Sequence, residues 1–238
     1  MGIPACCEEE RIVRCLRSVL NSCDAVASEA QALVTVAADR CDDRTAELVR
    51  GFMRFDPRVD LLEGSWGSAG SARRAALEHG LSHALAMSRT TEAVWLATTD
   101  ADTVVPVTWL QQQLQFARNG VEAVAGVVDL LADADRSSER AEAFASSYPV
   151  GLDTHTHVHA ANMGIRADSY LRAGGFPELE VGEDRALWDA LGATGANRHA
   201  AASLAVFTSA RLAGPTHGAF SDALRNRLSA FRSRRGRV

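Results

Sequence analysis

Asp100 and Asp102, in the segment ATTDAD (residues 97–102), stand one residue apart directly after the apolar run AVWL (93–96). In extended backbone, side chains at i and i+2 share a face. The two carboxylates therefore repel unless a cation or a set of donors lies between them. Residue type alone leaves two readings. Asp is a common turn former that hydrogen-bonds its own backbone, and carboxylate oxygens are what a hard divalent metal prefers. A second acidic pair, Glu183 and Asp184, opens an apolar-periodic stretch; by itself this is the charge that favours a helix start. His155, His157 and His159 alternate, so a strand would carry them on one face. A zinc site usually draws ligands from several segments, which makes substrate contacts or a polar strand face the expectation for this trio.

The rest of the composition limits what such residues could serve. At 238 residues, 47% hydrophobic and 23% charged, the chain can bury a sizeable core and reads as soluble and globular. No apolar run is long enough for a bilayer, and the start MGIPACCEEE has neither part of a signal peptide, so a cytoplasmic protein is expected. Cys6, Cys7, Cys15, Cys23 and Cys41 fall within the first 41 residues without a C-x-x-C pair, and are expected as free thiols. The net charge of −5 argues against a nucleic-acid partner. All 25 basic residues are arginine, and six of them, with no acid, lie in residues 225–237. That tail is expected to be a solvated terminus, or a weak peripheral contact with anionic lipid.

Apolar periodicity then alternates between strand and helix. Strands are expected at residues 3–5, 32–38, 59–63, 93–99 and 121–131, with helices at 8–20, 42–52, 68–87 and 107–119, the last opened by Pro106. This rhythm predicts a mostly parallel, Rossmann-like α/β sheet flanked by helices. Beyond it the pattern is less regular: a strand at 155–166, a helix at 183–191 and a strand at 204–211. One domain, 1–238, is expected, with halves of about 1–130 and 131–220 and a basic tail at 221–238. In open sheets of this kind ligands gather beyond the carboxyl ends of strands, where Asp39, Asp100 and Asp102 all stand. Three acids at one edge exceed what a turn needs.

In that order the segments resemble the family 2 glycosyltransferases, which bind nucleotide sugars on a GT-A fold. IPACCEEERIVRCLRSVL is similar to the family's opening strand, P-x-x-N-E-E turn and helix; AADRCDDRTAELV resembles its second-strand segment. GSARRAAL resembles the A-R-N stretch and TTDAD the D-x-D motif. AANMGIRADSYLRAGGFPELEVGEDRALWDAL resembles the acceptor-side block with its N-x-G-x-R, G-G-F and E-D elements. The resemblance spans nearly the whole chain. It implies a nucleoside pocket at Ala5, Cys6, Glu8 and Asp39, and a diphosphate segment at Arg73. It also implies Asp100 and Asp102 as ribose and metal carboxylates, with Asp102 the metal ligand proper, and Asp184 as catalytic base beside Glu183. His217 stands where some members place a further metal ligand, although a loop histidine is the plainer reading. Cys7, Ala38 and Arg74 depart from the family's Asn, Asp and Asn, and the Q-x-x-R-W motif of processive members is absent.

The implied chemistry is transfer of one sugar, with inversion, from a UDP- or GDP-linked donor to an unknown acceptor hydroxyl. Mg²⁺ or Mn²⁺ would neutralise the departing diphosphate. Two other readings compete. A sugar nucleotidyltransferase would need a Gly-rich basic loop after the first strand, where this chain has ACCEEE. A non-catalytic nucleotide-sugar-binding relic would fit the departures but not the intact acids.

Overall fold

The computed structural model describes residues 1–87, 89–132, 136–213 and 220–235. Strand β1 (Gly2–Ala5) and strand β2 (Val34–Asp39) are buried along their whole length, as expected where helices cover both faces. Strand β3 (Val59–Gly64) pairs parallel to β2, and β4 (Trp95–Thr98) pairs parallel to the other side of β1. The chain thus reverses its direction of growth across β1, which opens a crevice between β1 and β4.

Past β4 the sheet becomes mixed. Strand β5 (Thr103–Val104), β6 (Ala123–Leu130), β7 (Met163–Arg166) and β8 (Arg198–Thr208) complete the order β3-β2-β1-β4-β7-β6-β8-β5. Because β7 runs antiparallel to both β4 and β6, while β8 is parallel to β6, β6 and β8 end at the same edge as β1, β2 and β4. The segment before β7 begins there too. This arithmetic of direction brings distant residues together. The result is a single α/β domain built on one curled mixed sheet.

Helix α1 (Ile12–Ala25) buries one stripe of Ile12, Cys15, Leu16, Val19 and Cys23. It starts at Ile12, later than residue 8, and the N–H groups just before it are satisfied outside the helix: Glu8 donates to Thr45 Oγ1 at 2.8 Å and Glu9 to Asp43 at 3.0 Å. Helix α2 (Thr45–Met53) follows, its first N–H capped by Asp43 at 2.9 Å. Helix α3 (Ala69–Ala86) buries small residues, Gly70, Ala72 and Ala76, which let it lie close on β1 and β2. Ser68 caps its start by accepting the Ser71 N–H. Helix α4 (Trp109–Arg118) buries Trp109, whose indole N–H donates to Asn162 at 2.9 Å. The Asn162 amide in turn donates to Val127 and Leu204 carbonyls at 2.8 and 2.9 Å, pinning β6 to β8 at their register shift.

Helices α5 (Ser138–Ser147), α6 (Ala167–Arg172), α7 (Glu183–Ala193) and α8 (Phe220–Arg235) complete the fold. Two expectations change here. The 155–166 segment is a strand only from Met163, preceded by a 3₁₀ turn at Ala160–Asn162 and an isolated bridge of Thr154 with Ala201. The basic tail is no fraying terminus as far as Arg235: it forms α8, packed on α5, with Arg232 paired to Glu139 at 2.7 Å and Arg235 to Glu142 at 2.8 Å. No helix among the described residues is long and apolar enough to cross a membrane.

Candidate active site

The shared sheet edge encloses a cavity of about 580 Å³. Ala5, Cys6, Glu8 and Asp39 line it from the ends of β1 and β2; Asp100 and Asp102 line it from the end of β4. Arg73 enters from the first turn of α3, and Glu183 and Asp184 from the first turn of α7. All nine candidate residues read from the sequence therefore meet in one space.

Within it the acids are tied by arginines. Arg73 is 2% exposed and donates to Asp100 Oδ1 at 2.6 Å and to Glu183 Oε1 at 2.8 Å. Its guanidinium also lies 5.3 Å from the Phe176 ring centroid. One buried cation thus fastens the β4 end to the α7 start. Gly70 makes room for this: a Cβ there would lie 2.7 Å from Glu183 Cγ. Gly182, at φ +83°, turns the chain into α7 so that both acids fall in the first turn.

Asp102 is held differently. Arg211, three residues past β8, lies 3.0 Å from Asp102 Oδ2 and grips Glu8 with both guanidinium nitrogens. Thr208 Oγ1 donates to Asp102 Oδ1 at 3.2 Å. Burial pushes the Asp102 carboxyl up to about 6 in spite of Arg211, so desolvation outweighs the guanidinium there. Asp39, buried, accepts N–H bonds from Trp66 at 2.7 Å and Gly67 at 3.2 Å. It shapes the loop before α3; it does not cap α2.

Asp184 sits on the other wall. Its carboxyl accepts the Arg185 N–H at 2.7 Å and is faced by the backbone N–H of Ala160. Burial, then the neighbouring Glu183 charge, raises its pKa. A carboxylate whose proton affinity burial raises, and which backbone N–H groups hold in place, is suited to general-base work. Next to Ala160 stands His159, whose ring also lines the cavity. The three histidines share a side although they lie outside a strand: successive ring centroids are 6.0 and 6.2 Å apart, with Tyr148 stacked 3.7 Å from His157. His155 and His157 engage the carbonyls of Ala125 and Pro149.

Sequence reasoning missed Arg211, whose only signal was a basic residue just beyond a strand end. It also missed that Cys7, Cys41 and Asp43 bring one ligand atom each within 4.8 Å of one another; all five cysteines are free thiols. Trp66 covers Gly64 and packs near Ala72 and Ala76, not over the cavity. Trp188 is buried in the cluster around Leu187 and Leu191, and Trp95 and Phe116 pack against the cluster around Trp109 and Val124. His217 lies outside the described residues. Among those residues, no third His, Cys, Asp or Glu joins Asp100 and Asp102 in a ligand cluster.

Comparison with known proteins gives one family. The model of glycosyl transferase family 2 matches residues 1–170. No curated protein sequence matches the chain. Among solved structures, S. aureus TarS 1–349 in complex with UDP is 16% identical with a TM-score of 0.59, over 96% of this chain and 63% of that one. The mannosyltransferase PcManGT from Pyrobaculum calidifontis, in complex with GDP-Man and Mn²⁺, is 21% identical with a TM-score of 0.61, over 95% and 59%. GalNAc-T7 with UDP, GalNAc and Mn²⁺ is 11% identical with a TM-score of 0.60, over 90% and 45%. These likenesses establish the GT-A fold. The chain spans about a third of the longer TarS chain, 36%, and under two thirds of these three.

Proposed function

The chain belongs to glycosyl transferase family 2, and from that premise we propose that it moves a single sugar from a nucleotide sugar to an acceptor hydroxyl, inverting the anomeric carbon. The observation that carries this reading is the meeting of Asp100 and Asp102 with the raised carboxyl of Asp184 in one cavity, braced by Arg73. The nucleoside would enter between the ends of β1 and β2, against Ala5, Cys6 and the loop that Asp39 fixes. Glu8 also orients Arg211, which grips its carboxylate. UDP and GDP donors are both supported by the complexes of TarS, GalNAc-T7 and PcManGT.

Asp184 takes the proton of the acceptor hydroxyl as the oxygen attacks the anomeric carbon. The bond to the diphosphate breaks on the opposite side, and its electron pair leaves with the nucleoside diphosphate. General-base assistance of this kind is commonly worth about 10²–10⁴-fold. Arg73 keeps the donor carboxylate Asp100 and the α7 start at fixed separation, which lowers the entropic barrier of a two-substrate reaction.

The residues also fit a divalent cation. Asp102 is a half-buried hard-oxygen ligand that already faces a full positive charge on Arg211 at 3.0 Å, and Mg²⁺ sites on nucleotides characteristically use one or two carboxylates beside phosphate oxygens. Asp102, with Asp100 beside it, would hold Mg²⁺ or Mn²⁺, which would stabilise charge on the diphosphate.

The test is incubation with UDP- and GDP-sugars, Mn²⁺ and candidate acceptors. Release of nucleoside diphosphate that is abolished in Asp184→Asn is expected. Pyrophosphate release would mark a nucleotidyltransferase, and binding without turnover a relic; either would overturn the proposal.

A further inference from the structure

Four arginines line the cavity, and three of them face acids: Arg40 with Asp39, Arg73 with Asp100 and Glu183, Arg211 with Glu8 and Asp102. Arg227, on α8, differs. Its guanidinium carbon lies 5.5 Å from the ring centroids of both Phe144 and Tyr148, and among the described residues no carboxylate meets it. Its Nη1 is buried without a hydrogen-bond partner. The Nε2 of His159 is likewise buried and unpartnered, and both side chains line the cavity. Burial, then the charges of His157 and Arg227, holds the His159 ring down at about 4, so it is neutral at pH 7, and as the Nε2–H tautomer it donates from Nε2.

Two orphaned donors in one wall are costly. A buried polar group without a partner destabilises the fold, and a desolvated guanidinium more so. The aromatic faces of Phe144 and Tyr148 offset part of this. What remains is a fixed, partly dehydrated donor pair, which suits an oxyanion far better than a neutral hydroxyl. Its position says whose oxyanion. The N–H of Ala160, the residue after His159, faces the Asp184 carboxyl, so the His159 backbone adjoins the proposed base, while its ring also feels the Asp100 charge. The diphosphate region has its own cations, Arg73 and Arg211, at Asp100 and Asp102.

We propose that Arg227 and His159 form an oxyanion subsite on the acceptor side of the cavity, so that the acceptor carries a phosphate or carboxylate close to the hydroxyl it offers Asp184. The inference deepens the glycosyltransferase reading and rests on it for the word acceptor; the anion site itself does not.

Inorganic phosphate is the probe. It is titrated calorimetrically into the full chain, first alone and then with saturating UDP and Mg²⁺, for the parent, Arg227→Gln, Arg227→Lys and His159→Asn. UDP is titrated into each protein separately. Phosphate should bind the parent in both states and bind Arg227→Gln about 10- to 100-fold more weakly, the loss expected for a charge-assisted hydrogen bond. Arg227→Lys should recover part of that affinity, and UDP affinity should stay within about twofold of the parent. Unchanged phosphate affinity in Arg227→Gln, no phosphate binding by the parent, or an equal loss of UDP affinity would each overturn the subsite; the last would assign the anion to the donor. Should Arg227→Gln melt early, His159→Asn decides by the same criteria. Failure of the parent to bind either UDP or GDP, titrated in the same way, would instead strike the glycosyltransferase reading, while the phosphate titration on the protein alone still decides the subsite.

Discussion

Arg73→Met removes the cation between Asp100 and Glu183 while keeping most of the buried stem. Arg73 is 2% exposed, and the side chains it bridges are 35% and 13% exposed. Stripping one partner from a buried pair typically costs about 3–5 kcal/mol, because the remaining charge is uncompensated. Asp100 reaches water and recovers much of its share by solvation; Glu183 does not. The lower end, about 3 kcal/mol, is therefore expected. For a chain of this length that corresponds to a melting drop of roughly 6–12 °C. Guanidinium unfolding at pH 7 measures the stability, and donor titration with turnover measures the site. Both should fall, since the β4 end and the α7 start lose their common tie. Arg73→Lys should recover little, as an ammonium lacks the fork that spans two carboxylates. A stability change under about 0.5 kcal/mol would refute the burial argument. A clear loss of stability with unchanged transfer would refute the bridge as part of the site.

Asp184→Asn should keep donor affinity and lower transfer by about 10²–10⁴-fold, read as kcat against KM; an unchanged kcat would move the base elsewhere. In the parent, transfer should fall as pH drops through the Asp184 pKa, which burial raises, because the base works ionised; a rate that does not fall on acidification while the protein stays folded would contradict this. Gly70→Ala should gain about 1 kcal/mol in helix propensity yet displace Glu183, whose Cγ would lie 2.7 Å from the new Cβ. Melting near the parent's with reduced turnover is the expected pair, and full turnover would deny Glu183 a positional role. Asp39→Ala should weaken UMP and UDP equally, by roughly 1–3 kcal/mol, and lower the melting temperature as the Trp66 and Gly67 N–H groups lose their acceptor. Lower melting with unaltered affinity would remove Asp39 from the nucleoside pocket.

The first half of the fold was legible because each strand and helix there carries its own apolar period. β2 is buried at every position and α1 shows a clean stripe. The edge location of Asp39, Asp100 and Asp102 followed from parallel pairing alone. The reversals at β7 and β5 were not legible, since pairing direction depends on partners far along the chain. Residues 155–159 alternate like a strand but find only the Thr154–Ala201 bridge, so periodicity misled there. Helices α5 and α8 went unread because their buried faces are few: Ala143 and Phe144 in one, Ser221, Leu224 and Leu228 in the other. The roles of single carboxylates were hardest. Glu8 looked like a nucleoside ligand, yet its partner is Arg211, 203 residues away. Local sequence carries no trace of such a pairing.

The account turns on Asp102 as the cation seat of a nucleotide-sugar site. Calorimetric titration of a panel of UDP- and GDP-sugars, with and without Mn²⁺, into the parent and Asp102→Asn tests it most directly. The parent should bind at least one donor with an affinity that rises with Mn²⁺, and Asp102→Asn should lose that metal-linked gain while melting no lower than the parent, since Arg211 retains Glu8. The same Mn²⁺-linked affinity in both proteins, or no dependence on Mn²⁺ in the parent, would contradict it.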